Sequence, residues 1–140
     1  MIVFDIDGTL SIVGDRLECL KTKNWDGFYD RCYEDEINDA VAKTLLAFKS
    51  IRQQIVYVTG RRESCRKDTL RWLDAFGLPS ETKNLYMRKN SDYRHDSIVK
   101  IELVKPFISD IDIVFEDRDS MVKTWRDNGV TCFQVAEGNF

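Results

Sequence analysis

The sequence predicts an α/β fold in which a parallel sheet is covered by helices on both faces. Three observations carry this reading. Short apolar runs fall near residues 2–4, 54–58, 84–87, 112–115 and 131–135. Stretches of helical length lie between them, near 36–50, 63–76, 96–108 and 120–128. Strands alternating with helices form βαβ units, whose sheet is parallel and packed by helices on both faces. Finally, Asp5, Thr59, Arg88 and Asp117 all fall where an apolar run ends. In open parallel sheets, ligands bind beyond the C-terminal ends of the strands. The expected architecture is a three-layer, Rossmann-like domain.

The first run is the most informative. Residues 2–10 read IVFDIDGTL. Ile2, Val3 and Phe4 suit a buried strand, and Gly8 supplies the sharp turn that ends it. Asp5 and Asp7 are two apart, so in extended backbone they share a face. Two carboxylates there are costly unless a cation joins them. Mg2+ suits such a site, because it takes oxygen ligands and keeps several waters.

Residues 11–35 interrupt the alternation. Gly14, Asn24 and Gly27 are interspersed with Trp25, Phe28 and Tyr29, which predicts a loop or small hairpin before the next helix. Those rings either anchor the loop to the core or stack on bases. Further on, Leu70, Trp72, Leu73 and Phe76 lie largely at helical spacing, and Gly77 and Pro79 stop that helix. Gly129 closes the next one after Trp125.

The 140 residues fit one domain, spanning 1–140. An apolar content of 43% with 32% charged residues describes an ordinary globular protein. No apolar run reaches membrane-spanning length, and no signal peptide precedes the first strand, so a cytoplasmic location without membrane contact is expected. Cys19, Cys32, Cys65 and Cys132 form no C-x-x-C pair and read as reduced packing residues. With His95 the sole histidine, zinc is not expected. The net charge of −3 does not advertise nucleic-acid binding. Even so, Arg61, Arg62, Arg66, Lys67 and Arg71 form one basic run, and Arg88, Lys89 and Arg94 another. These are either solvated faces or a basic surface beside a phosphate site. No G-x-x-x-x-G-K-[ST] loop exists, so kinase activity is not expected.

The segment DIDGTL resembles the first signature of the haloacid dehalogenase (HAD) superfamily of phosphotransferases. Thr59 after QIVYV, Lys100, and Glu116-Asp117 after DIVF stand in the order of its second, third and fourth signatures. A closer likeness runs from about Ile55 onward. VTGRRES, RKNSDYRHDSIVK and FEDRDSMVKTWRDNGVTCFQVAEGNF are similar to the 3′-phosphatase domain of phage-type polynucleotide kinase/phosphatases. The resemblance implies a HAD-like fold with a minimal flap or cap near 11–35. It also implies a Mg2+-dependent phosphomonoester hydrolase that works through an aspartyl-phosphate and removes 3′-phosphate from nucleic-acid ends.

Roles follow from the resemblance, which also implies that the carboxylates of Asp5 and Asp117 and the backbone carbonyl of Asp7 bind the Mg2+. Asp5 is the nucleophile, a group already ionised at neutral pH. Asp7 protonates the leaving oxygen and then deprotonates water, which requires an accessible carboxyl of raised proton affinity. Lys100 bridges Asp5 and the phosphate. Thr59, Gly60, Arg61 and Arg88 bind phosphate, Arg61 as a bidentate partner. Asp96 and Glu116 stand behind these groups, Asp96 orienting Lys100 across one helical turn and Glu116 holding a metal-bound water or Lys100. Asp92 also matches a position of importance, while Arg118 and Asp119 read as structural or rim residues. Other readings remain: a HAD phosphatase acting on nucleotides, small metabolites or a phosphoprotein, and a non-catalytic module of a nucleic-acid repair assembly.

Overall fold

The structure is a computed structural model that describes residues 1–138. Five strands form one sheet: β1 (Ile2–Phe4), β4 (Ile55–Arg62), β5 (Leu85–Arg88), β6 (Ile113–Glu116) and β7 (Cys132–Gln134). Their order is β5-β4-β1-β6-β7, and every pairing is parallel. β1 lies at the centre, with the chain winding outward to β4 on one side and to β6 on the other. That reversal opens a crevice at the C-terminal ends of β1, β4 and β6.

Alternation along the strands divides the core between two faces. Ile2, Phe4, Ile55, Tyr57 and Phe115 pack with Val41 and Leu45 of α3 (Asp39–Ser50) and Trp72 and Leu73 of α4 (Arg66–Ala75). Val3, Val56, Val58 and Val114 pack with Val104 of α5 (Asp96–Val104) and Met121, Val122 and Trp125 of α6 (Asp119–Asp127). Successive strand residues point to opposite faces, and here both faces are buried.

Some boundaries differ from those expected. Glu36 and Ile37 do not begin a helix. They form β3, which pairs antiparallel with β2 (Ser11–Ile12), so α3 starts only at Asp39. The helix expected over 96–108 breaks after Val104 into a tight 3-10 stretch, Lys105–Asp110, with Pro106 near its start. β4 continues beyond Thr59 to Arg62, and its pairing with β5 shifts register between those two residues. The segment 11–35 is more ordered than a loop. Above the β2–β3 stem it carries α1 (Leu17–Lys21) and α2 (Trp25–Asp30). The Asn24 side chain caps α2, accepting from the Gly27 amide at 3.0 Å. Among the described residues, no helix is long and apolar enough to cross a membrane.

Candidate active site

β1 delivers Asp5 and β6 delivers Asp117 to the same end of the sheet, each one residue past its strand. Oxygens of Asp5, Glu116 and Asp117 lie within 4.8 Å of one another, and all three residues are buried. Lys100 reaches in from α5: its Nζ donates to Asp5 Oδ1 at 2.7 Å and to Glu116 Oε2 at 2.8 Å. Thr9 donates its hydroxyl to Asp117 Oδ1 at 3.1 Å. Burial, followed by the charge of Glu116, pushes the Asp5 carboxyl up to about 8, so without a further cation it is not the ionised group expected at neutral pH. Burial and the charge of Asp5 push Asp117 up to about 6. Asp5 and Glu116 in turn hold the Lys100 ammonium well above its ordinary range, against the cost of burial.

The arrangement therefore concentrates three acids on one ammonium, and a further cation relieves the excess. An all-oxygen donor set fits a hard divalent ion. Gly8 makes room for this cluster. Its φ is +87°, and a Cβ there would lie 2.2 Å from Asp117 Oδ2. Glu116 was expected to hold a metal-bound water or Lys100; it does accept from Lys100, and its carboxylate also stands within the acidic cluster.

Asp7 occupies a different environment from the one its expected role called for. Arg61 Nη2 donates to its Oδ1 at 2.7 Å, and Arg16 Nη2 donates to the same oxygen at 2.7 Å. Against the cost of burial, these two guanidiniums hold the carboxyl well below the usual carboxylate range, not above it. Arg61 is likewise displaced from its expected place. Its side chain is fully buried and is bonded to Asp7, Asp35 and Thr69 rather than lining the cavity. The end of β4 explains this: past Thr59, where the register with β5 shifts, Arg61 turns into the interior and Arg62 to the cavity.

Arg88 lines the cavity, but its guanidinium is committed to protein groups. It donates to the carbonyls of Gly60 at 3.1 Å and Asp92 at 3.0 Å, and pairs with Asp96. Asp96 takes Arg88 and Arg118 as its hydrogen-bond partners, the latter at 2.8 Å, while the hydrogen bonds of Lys100 go to Asp5 and Glu116; Asp96 acts on Lys100 through its charge. Gly60 sits at this junction. Tyr29 and Arg88 both donate to its carbonyl, and a Cβ would lie 2.9 Å from Asp96 Oδ1. His95 caps α5, its Nδ1 accepting from the Ser97 amide at 3.2 Å. All four cysteines are free thiols.

Arg16 and Asp35 were not anticipated. Arg16 belongs to the 11–35 segment and pairs with Asp35 and Asp7; Asp35 also accepts from Arg61 Nη2 at 3.2 Å. A buried arginine in an irregular segment leaves no periodic trace in the sequence. The basic runs are largely neutralised locally: Arg66 pairs with Glu63, and Arg94 with Asp92 and Glu102.

A cavity of about 460 Å³ opens beside the acidic cluster. Asp5, Thr59, Lys100 and Asp117 line it together with Trp25 and Tyr29 of the 11–35 segment. A parallel sheet that gathers an aspartate, a threonine, a lysine and an acidic pair in this way defines a HAD-type phosphatase. The full chain, residues 1–140, matches the family profile of the polynucleotide kinase PNKP phosphatase domain. It belongs to that family.

Relatives agree. A protein of the Autographa californica nuclear polyhedrosis virus, named as a bifunctional polynucleotide kinase/RNA ligase, is 26% identical over 142 residues, covering 96% of this chain and 19% of the viral one. A chain of the Pnkp1/Rnl/Hen1 RNA repair complex superposes with a TM-score of 0.86 at 29% identity, over 99% of this chain and 43% of that one. The class C acid phosphatase of Bacillus anthracis shares the fold, with a TM-score of 0.70 at 17% identity over 99% of this chain and 65% of that one. The chain thus spans less than half the length of the first two.

Proposed function

We propose that residues 1–140 act as a single phosphatase domain that removes the 3′-phosphate from polynucleotide ends with Mg2+, through an aspartyl-phosphate on Asp5, in the cytoplasm. The observation that carries this reading is the buried cluster of Asp5, Lys100, Glu116 and Asp117 at one end of the cavity. Family membership and the likeness to a chain of an RNA repair complex support a polynucleotide substrate.

An oxygen of Asp5 attacks phosphorus, and the bond to the leaving 3′-oxygen breaks. Phosphoryl transfer asks mainly for positioning and for stabilisation of charge on the equatorial oxygens. Lys100 holds Asp5 in line and presents positive charge beside it. Thr59 offers its hydroxyl to a phosphate oxygen. Asp5, Asp117 and Glu116, with the Asp7 carbonyl, would hold Mg2+, which would screen the nucleophile from the anionic substrate. Asp7 gives a proton to the leaving oxygen and takes one from the water that cleaves the aspartyl-phosphate. The pairing with Arg61 and Arg16 suits the second task, since it keeps the carboxylate ionised. An arriving phosphate dianion raises its proton affinity for the first.

Phosphate release tests the proposal, measured with Mg2+ on a 3′-phosphorylated oligonucleotide, a 5′-phosphorylated one, a 3′-mononucleotide and p-nitrophenyl phosphate. Preference for the first is expected. Equal or faster turnover of the small substrates overturns the polynucleotide assignment.

A further inference from the structure

The cavity carries a second chemistry away from its carboxylates. Arg62 lies over two tyrosine rings: its Cζ is 5.4 Å from the centroid of Tyr29 and 5.5 Å from that of Tyr93. Asp26 accepts from its Nη1 at 3.0 Å. Tyr29 comes from α2 in the 11–35 segment, and Tyr93 from the connection between β5 and α5. Both rings and Arg62 line the same cavity as Asp5 and Lys100. Tyr93 is 78% exposed and Trp25, also lining the cavity, is 45% exposed.

An exposed aromatic is ordinarily a loop anchor, and Trp25 partly fits that role, packing edge-on to Phe28 at 6.5 Å. Tyr93 does not: most of its surface is left in water, although burial would favour folding. A planar ring beside a planar cation, on the wall of a phosphate cavity, is the pairing by which proteins hold unstacked bases. The guanidinium of Arg62, fixed by Asp26, also reaches phosphodiester oxygens as a fork.

We infer that Tyr93 and Arg62 form a nucleobase subsite, which stacks the base of the 3′-terminal nucleotide while its phosphate lies beside Asp5 and Lys100. The inference rests on the polynucleotide 3′-phosphatase reading. A cavity of about 460 Å³ has room for a ligand of one nucleotide. Stacking on Tyr93 also demands a base whose face is uncovered.

The test uses the full chain and single-stranded 3′-phosphorylated oligonucleotides ending in either a normal or an abasic nucleotide. Removing the base is expected to lower wild-type kcat/KM by about 5- to 100-fold, mostly through KM. Tyr93→Ala is expected to lose a similar factor on the normal end and little more on the abasic one. Tyr93→Phe, which keeps the ring, is expected to retain wild-type behaviour. A 2-aminopurine at the terminal position should be quenched on binding to the wild type but not to Tyr93→Ala. Brisk release of 3′-phosphate with equal rates on normal and abasic ends overturns the subsite and leaves the phosphatase reading intact. Hydrolysis of p-nitrophenyl phosphate with no release from any 3′-phosphorylated oligonucleotide overturns the polynucleotide 3′-phosphatase reading, and the subsite with it.

Discussion

Arg61 meets Asp7 side-on, its Nε 3.0 Å from Oδ2 and 3.1 Å from Oδ1, and its Nη2 2.7 Å from Oδ1. The guanidinium is fully buried, and its other neighbours are Asp35, Thr69 and the ring of Trp72. Breaking a buried pair by removing one partner costs about 3–5 kcal/mol, because the remaining charge stays buried. Arg61→Ala is therefore expected to lose stability on that scale in urea denaturation, together with activity. A loss below about 1 kcal/mol would show that water readily replaces the guanidinium.

Asp5→Asn keeps the shape of the side chain and removes the nucleophile. It is expected to fold, to bind Mg2+ more weakly, and to release phosphate at background rate. Rapid residual hydrolysis would remove Asp5 from the reaction, and circular dichroism establishes that the fold is retained.

The acidic cluster sets a pH dependence. Native Asp5 and Asp117 titrate at about 8 and about 6, against 3.8 for the ordinary group. The native state thus holds protons that the unfolded chain has released, so stability falls as pH rises through this interval. The lowered groups Asp7 and Asp96 act in the opposite direction, but only below the ordinary carboxylate range. The metal-free protein is expected to melt at lower temperature at about pH 7 than at about pH 5. Added Mg2+ is expected to raise the melting temperature more at the higher pH, where it replaces protons. A flat profile, or an equal Mg2+ effect at both pH values, contradicts this.

Gly8→Ala places a methyl group 2.2 Å from Asp117 Oδ2, on a backbone with φ of +87°. The left-handed conformation alone costs about 1–2 kcal/mol for a residue with a Cβ. Asp117 must also move. The expected result is a higher Mg2+ concentration for half-maximal activity, beyond the stability loss. Unchanged Mg2+ dependence would show that Asp117 is not a ligand.

The parts legible in sequence are those with a local signal. The uninterrupted apolar runs that begin with Ile2, Ile55 and Ile113 mark strands buried on both faces, and carboxylates at their ends mark the crevice. Asp5, Thr59, Lys100 and Asp117 could be placed on that basis together with motif order. What was misread depends on contacts distant in sequence. Arg61 and Arg62 are adjacent, and only the phase of β4 and its register shift decide which one faces the cavity. Asp96 lies one helical turn before Lys100, yet arginines from β5 and from the start of α6 bind it more closely. The helices of 11–35 have five and six residues, too short for an amphipathic period to emerge. Their one local sign was Asn24, a residue type that favours N-caps.

Arg16 and Asp35 bracket the 11–35 segment near its two ends, yet their charges are completed by Asp7 and Arg61 in the sheet domain. The segment is thus not an interchangeable accessory. A chimaera that borrowed these residues from a relative with different ends would leave Arg61 buried with one anion instead of two, and Asp7 with one cation instead of two. Recombination at the stem has to carry positions 7, 16, 35 and 61 as a single heritable block.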